Sequence, residues 1–311
     1  MTLAVVAVGG NAISPPKDAG FAAMKRHIAK TAARLADLVD AGFRLVVTHG
    51  NGPQAGNLLI QNEEARAKVP AMPLDVLVAE SQAQIGYLLQ QSLQNEFASR
   101  DASRSVASVV TQVVVDAADP AFREPTKPIG PVYTSEQEVV VLRAKGWRMS
   151  KDPRGGWRRV VPSPRPIEIV ERDLIAAILG TEGRHILIAA GGGGVPVVRR
   201  GTGYQGVEAV VDKDLASAVL GKGIGADLLV IITDVPKVAL RFGTTERVDL
   251  DRLTVAEARH HLEAGEFPPG SMGPKIEAAL QFLEGGGRRV VIADLDTVIE
   301  AVSGRAGTTI A

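Results

Sequence analysis

The sequence predicts an α/β protein built on a mostly parallel sheet covered by helices on both faces. Short, continuous apolar runs such as Leu3 to Val8, His185 to Ala190 and Asp227 to Thr233 alternate with stretches of helical period. Glycine turns follow several of these runs, at Gly9-Gly10-Asn11, Gly50-Asn51-Gly52 and Gly191 to Gly194, the places where such sheets bind ligands. At 311 residues with 45% apolar content, the chain can bury a sizeable core in one large domain or two.

Leu3 to Val8 reads as a first buried strand, after which Phe21, Met24, Ile28, Leu35 and Leu38 fall at helical spacing. A second strand, Phe43 to Thr48, runs into His49-Gly50-Asn51-Gly52-Pro53 and a helix from Gln54 to Ala67. Leu74 to Arg100 predicts a long helix, and the valine-rich Ser105 to Val115 one buried strand. From Asp116 to Pro166 prolines, arginines, Trp147 and Trp157 interrupt the pattern, which predicts an inserted excursion of turns and short hairpins. The alternation then resumes with helix Glu171 to Leu179, strand His185 to Ala190, an apolar strand Val207 to Val211, a helix beyond it and strand Asp227 to Thr233. Helices near Thr254 to Ala264 and Met272 to Leu283, strand Arg288 to Ala293, and a last helix and strand complete the chain.

Acidic and basic side chains balance at 35 each, so net charge points to neither nucleic acid nor an acidic membrane surface, and local lysines must carry any anion binding. Cysteine is absent, which removes disulfides, thiolate metal sites and cysteine nucleophiles together. The N-terminal MTLAVVAVGGNAI has no basic leader and only a short apolar run, so no signal or membrane segment is expected and a cytoplasmic location fits. Gly201-Thr202-Gly203-Tyr204-Gln205-Gly206 has dinucleotide-fingerprint spacing but precedes a strand-like run instead of opening a helix, and is rejected. The five histidines have no ligand spacing, and His49 reads as a loop-ordering residue.

Asp212-Lys213-Asp214 stands at a strand-to-helix corner, where free amides attract anions and a lysine adds a full charge. Asp212 suits the helix cap, and Asp214 could hold Lys213. Lys275 follows Gly270-Ser271-Met272-Gly273-Pro274 at another helix start, and Lys127 sits among prolines in the insertion. Each alone is by default a surface lysine. Together with glycine loops they supply what phosphoryl transfer needs, namely positioning and cations around the moving group.

VGGNAI (Val8 to Ile13), THGNGPQAGNLL (Thr48 to Leu59), PTKPIGPVY (Pro125 to Tyr133), RRVVPSPRP (Arg158 to Pro166), GGGGVPV, GVEAVVDKDLAS and GSMGPKIEAA together resemble the carbamate kinase branch of the amino acid kinase family, from end to end. The resemblance implies a three-layer αβα sandwich with a protruding subdomain at 116–166. It implies an N-terminal lobe, 1–205, for carbamate or carbamoyl phosphate and a C-terminal lobe, 206–311, for ATP or ADP with magnesium. Carried over by motif, Gly9, Gly10, Asn11, Gly50, Asn51 and Gly52 would hold the acceptor. Lys127, Lys213 and Lys275 would neutralise the phosphoryl group, with Asp214 orienting the lysines. Gly191, Thr233, Asp234, Ser271 and Met272 would lie at the nucleotide. Lys127 would replace the lysine that many relatives carry before the first glycine pair, where this chain has Val6-Ala7-Val8. The segment Ile232 to Ala239 departs from the family at Pro236, often aspartate, and at Ala239, near which tyrosine is usual. A homodimer is implied by the resemblance alone. Another small-acid kinase of this fold and a non-catalytic nucleotide sensor stay open, although a sensor has no need of the full lysine set.

Overall fold

Leu3–Val8 lies inside an eight-stranded sheet with every side chain buried, because its residues alternate between two cores. Leu3, Val5 and Ala7 enter the core on one face, and Ala4, Val6 and Val8 the core on the other. A computed structural model describes residues 1–15, 20–152, 155–180, 185–268 and 270–311, with Asn11 described by its backbone alone. The sheet runs in the order Arg252–Leu253, Thr308–Ile310, Arg289–Ala293, Leu228–Ile232, Leu3–Val8, Arg44–His49, His185–Ile188, Ser105–Ser108. Its neighbours are parallel except Arg289–Ala293 with Thr308–Ile310.

Helices Arg172–Gly180, Lys213–Gly223, Val255–Glu263 and Gly273–Glu284 pack on the first face through residues such as Ile175, Leu220, Ala258 and Phe282. Helices Phe21–Asp40, Leu74–Ser99 and Val298–Val302 cover the other through Leu35, Leu89 and Ala301. The result is the expected three-layer αβα sandwich. No helix among the described residues is long and apolar enough to cross a membrane.

Two expected strands form differently. Ser105 to Val115 is not one strand: Ser105–Ser108 edges the main sheet, while Gln112–Val115 joins a separate four-stranded sheet. The break is held by Thr111, whose hydroxyl accepts the Ala190 amide at 2.7 Å and whose backbone N–H meets the Gln82 side chain at 3.1 Å. Val207 to Val211 is not a strand either. Its valines are apolar because it threads between packed elements, with the Val210 amide donating to Pro162 carbonyl at 2.9 Å. The rejected glycine motif lies in the hairpin of Val195–Arg200 with Gly203–Gly206.

The insertion is more ordered than turns and hairpins. It contains the helix Glu136–Ala144 and a three-stranded antiparallel sheet of Lys127–Tyr133, Trp157–Val161 and Met149–Lys151. Ile129, Trp147 and Val161 form one core with Leu59, Leu74 and Leu77, so the insertion is packed onto the body. Gly56 of helix Gly52–Ala65 meets Gly130 backbone to backbone, and a Cβ at Gly56 would overlap it.

Candidate active site

The strands Leu3–Val8, Arg44–His49 and Leu228–Ile232 are parallel neighbours, so their carboxyl ends open on one side of the sheet. There they give way to Gly9-Gly10, to Gly50-Asn51-Gly52 and to Thr233-Asp234. A cleft of about 1180 Å³ lies across these ends, lined by Gly9, Gly10, Gly52, Thr233, Asp234, Lys213, Ser271, Lys275 and, from the insertion, Lys127. Residues up to 266 positions apart in the sequence thus share one cavity only because the sheet is parallel and the insertion folds back over it.

Two cations come from helix starts. Lys213 is the first residue of helix Lys213–Gly223, which Asp212 caps by accepting the Asp214 amide on Oδ1 at 2.9 Å. Lys275 lies in the first turn of Gly273–Glu284, where Pro274 sits at a position with no amide to satisfy. Asp214 joins them: Oδ1 accepts from Lys213 and Oδ2 accepts the Lys275 ammonium at 3.1 Å. All three side chains are deeply placed, at 4% exposure for Asp214, 13% for Lys213 and 16% for Lys275. Burial alone would raise the Asp214 carboxyl, but Lys213 and Lys275 outweigh it and hold it below the usual carboxylate range. Burial, reinforced by the Lys275 charge, pulls the Lys213 ammonium down against the opposing pull of Asp214. For Lys275 the balance falls the other way: burial lowers it, and Asp214 and Asp212 more than restore it.

Lys127 arrives from the opposite wall. It opens the strand Lys127–Tyr133, pairs in register with Val161, and donates to Asp212 Oδ2 at 2.6 Å. It is the most open of the three cations, at 31%. Burial would raise the Asp212 carboxyl, and the Lys127 ammonium, aided by Lys213 and Lys275, keeps it depressed.

The glycine loops are held from beneath. His49 is fully buried with Nδ1 against the Gly50 carbonyl at 3.1 Å, and a Cβ on Gly191 would overlap its ring. Burial pulls the imidazole down to about 4, with Lys213 adding to it and the Gly50 carbonyl opposing, so His49 is neutral. Asn51 donates to Ser81 Oγ at 2.8 Å and lies against Gly192, whose φ of +62° and lack of side chain permit the approach. At Gly9 a Cβ would come within 2.8 Å of the Ile232 carbonyl, so the first loop can cross the neighbouring strand only as glycine.

Of the residues singled out in the sequence, Gly9, Gly10, Gly52, Lys127, Lys213, Thr233, Asp234, Ser271 and Lys275 line the cleft. Asp214, Asn51 and Gly191 are buried behind it, Gly50 backs onto Gly10 and the Lys213 side chain, and Met272 caps the helix that carries Lys275. The side chain of Asn11 lies outside the described residues. Sequence reasoning passed over Arg158 and Arg165, which line the cleft from the insertion. Arg158 clasps the Gly130 carbonyl through Nε at 3.1 Å and Nη2 at 2.8 Å, and Arg165 crosses to Glu277 at 2.5 Å. Both belong to the RRVVPSPRP stretch, whose arginines flank a proline-stiffened turn close to Lys127's strand.

Residues 2–294 match the profile of the Amino acid kinase family. The chain belongs to that family. Among curated members, the Carbamate kinase of Pyrococcus furiosus is 44% identical over 309 residues, covering 98% of each chain. The Carbamate kinase of Halobacterium salinarum is 47% identical over 314 residues, covering 100% of this chain and 98% of the relative. Among solved structures, Carbamate kinase from Giardia lamblia bound to AMP-PNP superposes with a TM-score of 0.91 at 37% identity, covering 99% of this chain and 98% of that one. This kinase-family membership agrees with the end-to-end motif resemblance and with an αβα architecture.

Proposed function

We propose that this amino acid kinase catalyses reversible phosphoryl transfer between ATP and carbamate, giving ADP and carbamoyl phosphate. The observation that carries the reading is the convergence of Lys127, Lys213 and Lys275 on two aspartates at one end of the sheet. A phosphoryl group in flight spreads negative charge over its equatorial oxygens, and fixed cations in a partly buried cleft stabilise that charge with little reorganisation. Lys213 and Lys275 meet it from the sheet, and Lys127 from the insertion. Asp214 holds the first two apart and aimed.

In this reading Gly9, Gly10, Asn11, Gly50, Asn51 and Gly52 bind the acceptor through backbone amides, supported by His49 and Ser81. The 1–205 lobe serves the acceptor. Thr233, Asp234, Ser271 and Met272 form the nucleotide side within 206–311, with Gly191 bracing the junction. Magnesium would enter on the nucleotide, held by phosphate oxygens and one or two carboxylates, and Asp234 lines the same cleft. It would supply further charge neutralisation. No group of three or more acidic or histidine side chains among the described residues forms a separate cage. ATP synthesis in carbamoyl-yielding catabolism, a cytoplasmic location and a homodimer complete the proposal.

The cleft's 1180 Å³ must take both substrates, and a different small acid as acceptor is the second reading. ATP formation from ADP, magnesium and carbamoyl phosphate, run beside acetyl phosphate and, forward, a panel of carboxylic acids, separates the two. Marked preference for carbamoyl phosphate is expected. Equal or better turnover of a larger acid would establish the second reading instead.

A further inference from the structure

Asp212 and Asp214 stand two residues apart and divide three lysines between them. Asp214 uses both oxygens on the sheet-borne pair. Asp212 is itself fixed, since Oδ1 takes the Asp214 amide at 2.9 Å, and this leaves Oδ2 aimed at Lys127 at 2.6 Å. Lys127 belongs to a strand 85 residues earlier, and no other ion pair of its ammonium is seen among the described residues. Lysine side chains lose much rotamer freedom when ordered, so a cation needed at a fixed point gains from being held before substrate arrives. Without the Asp212 charge, Lys127 would face Lys213 and Lys275 with no carboxylate of its own.

We propose that Asp212 is a positioning residue: beyond capping its helix, it holds the Lys127 ammonium beside the sheet-borne lysines, so that the insertion meets the phosphoryl group with its cation already placed. The proposal deepens the carbamate-kinase reading and rests on it. When the anion arrives, Lys127 exchanges part of its interaction with Asp212 for the phosphoryl oxygens over a short distance, instead of searching for them from solvent. The same pair ties the insertion to the helix start on the sheet.

Asp212→Asn tests this, because asparagine caps a helix as well as aspartate does and occupies the same space, but carries no charge. In ATP formation from carbamoyl phosphate and ADP, kcat should fall about tenfold or more while the KM for ADP stays within about twofold. In a Lys127→Met background the same substitution should change kcat by less than about twofold, because its partner is gone. Equal losses in both backgrounds, or no loss in either, would overturn the proposal. Asp212→Ser gives the same comparison with a hydroxyl cap should the asparagine variant fail to fold. A second readout needs no turnover: acetic anhydride labelling of the ligand-free protein, followed by peptide mass spectrometry. Lys127 should acetylate about fivefold or more faster in Asp212→Asn relative to Lys275, which keeps Asp214. An unchanged ratio would overturn the placement of Lys127 by Asp212. A wild-type chain that made no ATP would instead overturn the carbamate-kinase reading, and the labelling would still decide the pairing.

Discussion

Lys213 and Lys275 reach the cleft from helix starts anchored on the sheet and share both oxygens of a buried aspartate. Lys127 reaches it from a three-stranded insertion and rests on one oxygen of Asp212. The first pair belongs to the rigid frame, with neighbours in the larger core such as Leu215, Ile276 and Leu220. The single lysine depends on how the insertion is seated, through the Gly56–Gly130 contact, the shared core at Ile129 and Leu59, and two ion pairs across the cleft. The difference teaches that, in the proposed reaction, the charge around the phosphoryl group would be divided between two structures. The sheet would supply two cations, and the insertion would complete the set.

The largest effect should come from breaking the sheet side. Asp214→Asn removes the carboxylate that accepts from both Lys213 and Lys275, leaving two ammonium groups crowded together. Turnover should fall about a hundredfold or more, while nucleotide affinity changes far less. Steady-state kinetics with ADP and carbamoyl phosphate, alongside a melting curve, checks this. Unchanged turnover would reduce Asp212-Lys213-Asp214 to a helix cap.

The frame should also carry an acid-side pH dependence of folding, through His49. His49 is held neutral with its pKa lowered to about 4 from an ordinary 6.5. Between these values an unfolded chain binds a proton that the folded chain refuses, so stability falls as pH drops through that window and is fully present above it. The loss attributable to His49 is on the order of 3 kcal/mol by pH 4. Denaturant unfolding at pH 7 and pH 4.5 should show it in the wild type, and His49→Gln should flatten it. The same slope in both proteins would place the sensitivity elsewhere.

The smallest effect should come from the rim of the insertion. Arg165 and Glu277 are 65% and 34% exposed, so Arg165→Ala should cost less than about 1 kcal/mol of stability and change turnover by less than about threefold. Calorimetry and the ATP-forming assay measure both. A larger loss would show that seating depends on the rim more than on Lys127 and the glycine contact.

The frame was the legible part of the molecule. Leu3–Val8 and Leu228–Ile232 read as buried parallel strands because both faces are covered and every residue is apolar. Lys213 and Lys275 stood out because helix starts leave marks: Asp212 as a cap, and Pro274 in the first turn. Val207 to Val211 misled for the same reason that Leu3 to Val8 did not. Burial selects valine whether or not a strand ladder is present, and periodicity cannot tell the two apart. Ser105 to Val115 hid a change of sheet because Thr111, which makes the break, acts through Gln82 and Ala190 in distant segments. The prolines of the insertion suggested turns, yet its core of Ile129, Trp147 and Val161 depends on residues of the body, which no local pattern exhibits. Lys127 stood out only as a lysine stiffened by flanking prolines, its catalytic role came from the family resemblance, and its pairing with Asp212 across 85 residues has no local signal.

The most direct test of the division between frame and insertion is turnover by Lys127→Ala with ADP and carbamoyl phosphate, on protein whose melting curve shows it folded. If the insertion completes the set of cations, the loss should be on the order of 2.7 to 4 kcal/mol of transition-state stabilisation, about a hundredfold or more in kcat, with little change in melting temperature. Near-normal turnover by the folded variant would contradict the account, leaving the insertion as a cover and the sheet-borne lysines as the whole of the charge.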